Sequence, residues 1–242
     1  MKVKLFYGLV FLFLLVGCRI EVIDPTPLPE EPVTFHEDVE IPTKIPSVFM
    51  TLDSVEFWLN MDLNALYRLE YNQEYLEYFT FTPEKVELRQ QTLFLQDLTP
   101  LFQSLWAEYP SEENYLLGQR VLTKYYQEMS FVIEEIVFQE ETGDFLLDIS
   151  FQSLVLPEHF TKEYYQENFD LLVEGENLSK ISLETYEMYD QQGTENLLNE
   201  LLYLEEIPRG ETRQKTITLK LENQAYVFTD WESFHEEMFP FA

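Results

Sequence analysis

The hydrophobic period switches from helical to alternating twice along this chain, and those switches restrict the fold more than any other feature. Phe145, Leu147, Ile149 and Phe151 alternate with Leu146, Asp148, Ser150 and Gln152. Successive side chains on a strand point to opposite faces, so this spacing specifies a strand with one buried side. Ser130 to Gln139, just ahead, is β-branched and aromatic, and Glu141-Thr142-Gly143-Asp144 between them carries turn residues. Together they predict a β-hairpin. The alternation returns at Ile217, Leu219 and Leu221; Asn223-Gln224 supplies a second turn and Tyr226 to Thr229 the returning strand.

Around the hairpins the period is helical. Leu52, Val55, Leu59, Leu63 and Leu66 recur at three and four, and Asp53 stands three residues before Glu56 like a capping pair. Asn72 to Phe79 is a second stretch, rich in Tyr and Glu. Thr82-Pro83 reads as an N-cap followed by proline at the first helical position, opening a helix through Val86 and Leu93. Thr99-Pro100 repeats that start signal ahead of Phe102, Leu105 and Trp106. Ser111 opens a helix through Leu116 and Leu122 to about Tyr126. Further helices are expected from Thr161 to Leu172 and from Ser182 to Leu204, the latter broken at Gly193 and ended by Pro208-Arg209-Gly210. A last helix has Trp231, Phe234 and Met238 on one face. An isolated hairpin is marginal in water, so both are expected to share one sheet. The expected fold class is α+β: helices packed on one antiparallel sheet built from two β-hairpins, with a helix-rich N-terminal part.

Lys2 and Lys4 precede an apolar run from Leu5 to Val16 that only Gly8 interrupts. A membrane-spanning helix needs about 20 apolar residues, so this run reads as the core of an export signal. It ends in Leu15-Val16-Gly17-Cys18, which resembles the lipobox of bacterial lipoproteins. The resemblance implies cleavage after Gly17 and a diacylglycerol on the sulfur of Cys18, the only cysteine. It places the protein on the outer face of the cytoplasmic membrane, and two acyl chains suffice for stable anchoring. A lipidated Cys18 leaves no thiol for disulfides, thiolate chemistry or metal binding. The expected organisation is a signal peptide at 1–17, a lipidated cysteine and Pro-rich tether at 18–46, and a single α+β domain at 47–242. Pro25, Pro27, Pro29, Pro32, Pro42 and Pro46 stiffen the tether, and Ile41 and Ile45 are its residues suited to pack on the domain edge.

The layout after the tether resembles that of uncharacterised Gram-positive lipoproteins with a nuclear-transport-factor-like or cystatin-like domain. The residues that carry this are the hairpin Phe131–Phe151, the closing strands Thr216-Ile217-Thr218-Leu219-Lys220-Leu221 and Tyr226-Val227-Phe228, and Phe234. Tyr226 stands where such closing strands often carry Trp. The resemblance implies a fold and a location, and no activity.

Acidic residues outnumber basic ones by 45 to 15, a formal charge of −30. Such a chain is repelled by phosphate backbones and anionic lipid heads, which excludes nucleic acid as a partner. The acid is spread along the helices as solvated faces, and it also suits attraction of cationic peptides or divalent cations. Aromatic residues make up 16% of the chain and are expected mainly in core and boundary packing.

Catalytic patterns are missing from the sequence. There is no Gly-x-Ser-x-Gly elbow, and His36, His159 and His235 share no metal-ligand spacing. Each is expected as a surface or partly packed side chain; His235 lies one residue beyond Phe234 on the final helix. Glu134-Glu135, Glu140-Glu141 and Glu205-Glu206 are pairs that this composition produces by chance. A general acid needs a desolvated carboxyl, whereas Asp148 and Glu134 on the first hairpin are expected to face water. No calcium loop, phosphate cradle or dinucleotide fingerprint appears.

These observations lead to an expectation of no catalytic, cofactor-binding or metal-binding residue and no enzyme activity. The expected function is a tethered binding or interaction module for a peptide, a cell-wall fragment or an envelope protein. Its ligand would lie on the concave face of the sheet or in a groove between sheet and helices. The alternative is a structural or protective envelope protein that sequesters cationic peptides by net charge. Less expected is an enzyme on the nuclear-transport-factor-like scaffold with a buried carboxylate as base.

Overall fold

Both hairpins form, and they join edge to edge in one sheet. The computed structural model describes residues 41, 44–47, 50–177 and 180–241. The chain divides into two units, Met1–Asp38 and Val39–Ala242, and the described residues all belong to the second. Strand β1 is Ile45–Pro46, β2 Phe131–Gln139, β3 Asp144–Leu154, β4 Arg209–Glu222 and β5 Ala225–Phe228. Their order is β1-β5-β4-β3-β2 and every neighbouring pair is antiparallel. The hairpins meet at β3 and β4, where Phe145 stands opposite Leu219 and Leu147 opposite Ile217. Each thus gains the third strand that stabilises it. Glu222 pairs with Ala225 around the two-residue turn Asn223-Gln224, both with positive φ (49° and 67°), the geometry that matches strand twist in tight hairpins.

The helices are α1 Val55–Arg68, α2 Gln73–Phe79, α3 Pro83–Ser104, α4 Glu112–Gln127, α5 Lys162–Leu172, α6 Leu183–Leu202 and α7 Trp231–Met238. Asn72, Thr82, Ser111, Thr161 and Ser182 cap α2 to α6, each side chain accepting a first-turn backbone N–H. The start of α1 differs from expectation. Ser54, not Asp53, takes the cap position, and its hydroxyl accepts from the backbone N–H of Thr51 at 2.8 Å.

Two expected breaks do not occur. Helix α3 runs through Thr99-Pro100 to Ser104. Proline at position 100 removes the donor for the carbonyl of Gln96, but Gln96 is exposed, so water can satisfy it. Leu98, Leu101 and Phe102, all buried, hold the helix on its course past the proline. Helix α6 likewise continues through Gly193, because Asp190, Thr194, Leu197 and Leu198 bury one side of it. That burial outweighs the roughly 1 kcal/mol that a mid-helix glycine costs. At Gly118 the absence of a side chain matters more: an added Cβ would stand 2.7 Å from Leu98 Cδ2, so this glycine lets α4 approach α3.

The sheet has one covered face. Phe145, Leu147, Ile149, Phe151, Ile217 and Leu219 point into the core and are buried. Trp231, Phe234 and Met238 of α7 are buried with them, and the Phe234 ring meets Phe131, Phe151 and Phe228. The segment read as tether supplies its last two residues to this sheet. Ile45 pairs with Tyr226 and is buried, because an apolar side chain beside an open strand edge gains both a ladder and a core contact.

Polar side chains tie the helices together. The Asp190 carboxylate on α6 accepts the backbone N–H groups of Glu108 and Tyr109 and the Tyr165 hydroxyl. The Lys124 ammonium on α4 donates to the carbonyls of Leu201, Leu202 and Leu204, neutralising the negative end of α6.

Candidate binding surface

The face of the sheet away from the helices is open. On β2 the register shifts between Ile133 and Glu135, which leaves Glu134 without an opposite residue on β3. This bulge puts two consecutive glutamates, Glu134 and Glu135, on exposed positions. Glu135 stands opposite Asp148, and Asp148 opposite Thr216, giving a polar row across three strands. Ser150 Oγ donates to Glu134 Oε1 at 2.6 Å and Thr216 Oγ1 to Asp148 Oδ1 at 2.5 Å. Glu134, Glu135, Asp148, Gln214 and Thr216 line a shallow depression. Lys215 borders it as well, but its ammonium is held by Ser233 and Glu237 of α7. Among the described residues no free cation therefore stands beside the three carboxylates of this face. Glu140 and Glu141 in the adjoining turn are exposed too.

Among the described residues strand β2 is also an edge, paired only with β3. Val132, Val137 and Phe138 along it are 59%, 44% and 45% exposed. The interface between sheet and helices, by contrast, is filled by core side chains such as Phe151, Phe228 and Phe234. A depression lined by Lys124, Glu128, Glu205, Glu206 and Arg209 lies where the end of α4 meets the start of β4. A further acidic depression lies between α4 and α6, lined by Glu112, Glu113, Met188 and Glu195. Tyr109 and Tyr115 are exposed near it in the chain, and the Tyr109 ring stands edge-on to Tyr186 at 6.0 Å.

Among the described residues three carboxylates are buried, and each is engaged by the protein. Asp97 on α3 faces His235 on α7, with Nε2 at 2.8 Å from Oδ1 and 2.9 Å from Oδ2. The Tyr126 hydroxyl of α4 donates to Asp97 Oδ2 at 2.6 Å. On the other side of the imidazole, the Tyr67 hydroxyl of α1 lies 2.8 Å from Nδ1. The imidazole thus bridges the Asp97 carboxylate on Nε2 and the Tyr67 hydroxyl on Nδ1. Burial, then the Asp97 charge, pushes the pKa values of both tyrosines well above the ordinary phenol value. The order hydroxyl, imidazole, carboxylate matches that of an activated nucleophile, but Tyr67 and Tyr126 are fully buried. The arrangement joins four helices.

Asp62 on α1 forms a second buried cluster with Arg89 of α3 and Tyr75 of α2. Arg89 Nη1 donates to Asp62 Oδ1 at 2.9 Å and to the Tyr75 hydroxyl at 2.8 Å, and Tyr75 donates to the same carboxylate oxygen. Burial opposes the charge of Arg89, but Asp62 and Tyr75 outweigh it and hold the guanidinium above its ordinary pKa. Asp190 is the third buried carboxylate, bound as described above.

Of the residues singled out by sequence, His235 enters the core, whereas Asp148 and Glu134 lie on the open sheet face as expected. His159 is exposed and pairs with Glu200 at 2.7 Å. Gly17, Cys18 and His36 lie outside the described residues. Among the described residues no group of three or more His, Cys, Asp or Glu is placed to hold a metal ion. Asp97, Tyr67 and Tyr126 carried no sequence signal, since each is a lone polar residue in an amphipathic helix. Comparison with protein-family models, curated proteins and solved structures gives no match to this chain.

Proposed function

We propose that this protein is a lipid-anchored extracytoplasmic binding module, held at the membrane through Cys18 after cleavage behind Gly17. Its ligand is a peptide, a cell-wall fragment or another envelope protein, bound on the open face of the sheet. The observation that carries this reading is the asymmetry of the sheet: one face is sealed by helices and the other presents Glu134, Glu135 and Asp148 to solvent. A non-enzymatic role is supported by Asp62, Asp97 and Asp190, whose carboxylates are all bound by protein donors.

The test has two arms. In cells, the native chain should fractionate with membranes and Cys18→Ala should not; equal distribution of both overturns the anchor. The processed chain carrying Cys18→Ala is then unfolded thermally against peptides, wall fragments, sugars and calcium. A ligand at about 100 times its dissociation constant adds roughly 2.7 kcal/mol, a readable shift. If nothing stabilises the protein and crosslinking on intact cells captures no partner, the binding-module reading is wrong.

The spread of charge over the chain favours a second reading, a protective protein that sequesters cationic peptides without a defined site. That reading requires affinity to collapse as salt shortens the screening length.

A further inference from the structure

We propose that the free edge of β2 accepts a cationic, extended peptide segment as a sixth strand of the sheet. This rests on the binding-module reading and names its site and ligand class.

An edge strand presents unpaired backbone N–H and C=O groups, which an added strand can satisfy. The sheet has two edges and they are unequal. Strand β1 is two residues long, and the Tyr78 hydroxyl already donates to the carbonyl of Pro46 at 2.7 Å. Strand β2 is nine residues long, and among the described residues no side chain hydrogen-bonds to its backbone between Val132 and Phe138. The bulge at Glu134 interrupts the regular pleat, so addition is confined to Glu135–Gln139 beyond it.

Charge selects the occupant. Glu135 and Asp148 lie on the open face of this stretch, Glu134 precedes it, and Glu140 and Glu141 follow. Lysine or arginine at alternate positions of an added strand would share the open face with Glu135, Val137 and Gln139, one cation lying beside the Glu135 carboxylate and the others reaching toward the flanking acids. The intervening side chains would extend the row of Ile136 and Phe138 on the helix side, where apolar residues fit. A second copy of this chain is the wrong occupant. Pairing β2 with itself would bring the acidic flanks Glu134-Glu135 and Glu140-Glu141 of two copies to one seam, between two molecules each carrying a formal charge of −30.

The test uses the processed chain with Cys18→Ala and a fluorescent peptide of alternating Lys and Val. Two isomers carry N-methyl groups, one on every Lys nitrogen and one on every Val nitrogen. Charge is the same in all three, but each methylated isomer loses the hydrogen bonds of one strand edge. The expected result is that the parent and one isomer bind while the other isomer binds at least tenfold more weakly. Glu135→Lys should weaken the parent peptide by a similar factor. If both isomers bind as well as the parent, attraction is by charge alone and strand addition is overturned, while the binding-module reading stands. If the parent peptide does not bind at all, the inference fails, and the ligand panel above decides separately whether the protein binds anything.

Discussion

His235 Nε2 lies 2.8 Å from Asp97 Oδ1, although 138 residues separate them in the chain. That contact and the Tyr67 hydroxyl on Nδ1 lock the last helix onto α1 and α3. Replacing His235 with Leu leaves the Asp97 carboxylate and the Tyr67 hydroxyl buried with a donor and an acceptor missing. The expected loss is about 3 kcal/mol or more, read from urea unfolding. In a double-mutant cycle, His235→Leu with Asp97→Leu should cost clearly less than the sum of the single changes. Strict additivity would show that the two side chains do not act together.

Arg89 and Asp62, 1% and 2% exposed, make the same argument for the other cluster. Arg89→Met strands a buried carboxylate and should destabilise by about 3–5 kcal/mol. Adding Asp62→Leu to that variant should recover a large part of the loss, since two apolar residues leave no buried charge. A further fall in the unfolding midpoint would contradict this.

Alkaline pH should unfold the protein cooperatively. Burial pushes the hydroxyls of Tyr67, Tyr75, Tyr125, Tyr126 and Tyr165 above the ordinary phenol range, and that of Tyr78 up to about 12. Above about pH 10 the unfolded chain releases these protons and the folded one keeps them, so stability falls as pH rises. Absorbance of ionised tyrosine should rise in two stages: exposed rings first, buried rings together with the loss of helical circular dichroism. A single smooth titration with intact helix signal would refute the burial assignment.

The acid side is set in part by Glu237 on α7. The hydrogen bond from Lys215 of β4 holds its carboxyl below the ordinary glutamate value, with Ser233 and Arg213 adding to the effect. A depressed folded pKa gives stability that is complete above the unfolded value and is lost as pH falls through the folded one. Because the carboxylate is one-third exposed, screening limits the gain to no more than about 1 kcal/mol. Glu237→Gln should be less stable than the native chain at neutral pH and equal to it below the ordinary carboxylate range. An undiminished difference in acid would mean that the effect is not electrostatic.

Local pattern was enough for the hairpins and most helix starts. Alternation at Phe145–Phe151 and Ile217–Leu221 selects one face whatever the rest of the chain does, and Asn72, Thr82, Ser111, Thr161 and Ser182 satisfy backbone donors within three residues of themselves. Glu134 and Asp148 could be assigned to solvent on the same grounds. Other features required the folded chain. Pro100 and Gly193 look like breaks because propensity is local, and the helices pass through them because buried neighbours outweigh that preference. Ile45 joins the sheet only because β5 offers it an edge. The cluster around His235 could not be read from spacing, since Tyr67 and Asp97, which bond the imidazole, and Tyr126, which bonds Asp97, come from three helices far apart in sequence. Periodicity and capping depend on neighbours along the chain, so the sequence alone determined them. Buried charge pairs and the inequality of the two sheet edges depend on neighbours in space, so only the tertiary structure decided them.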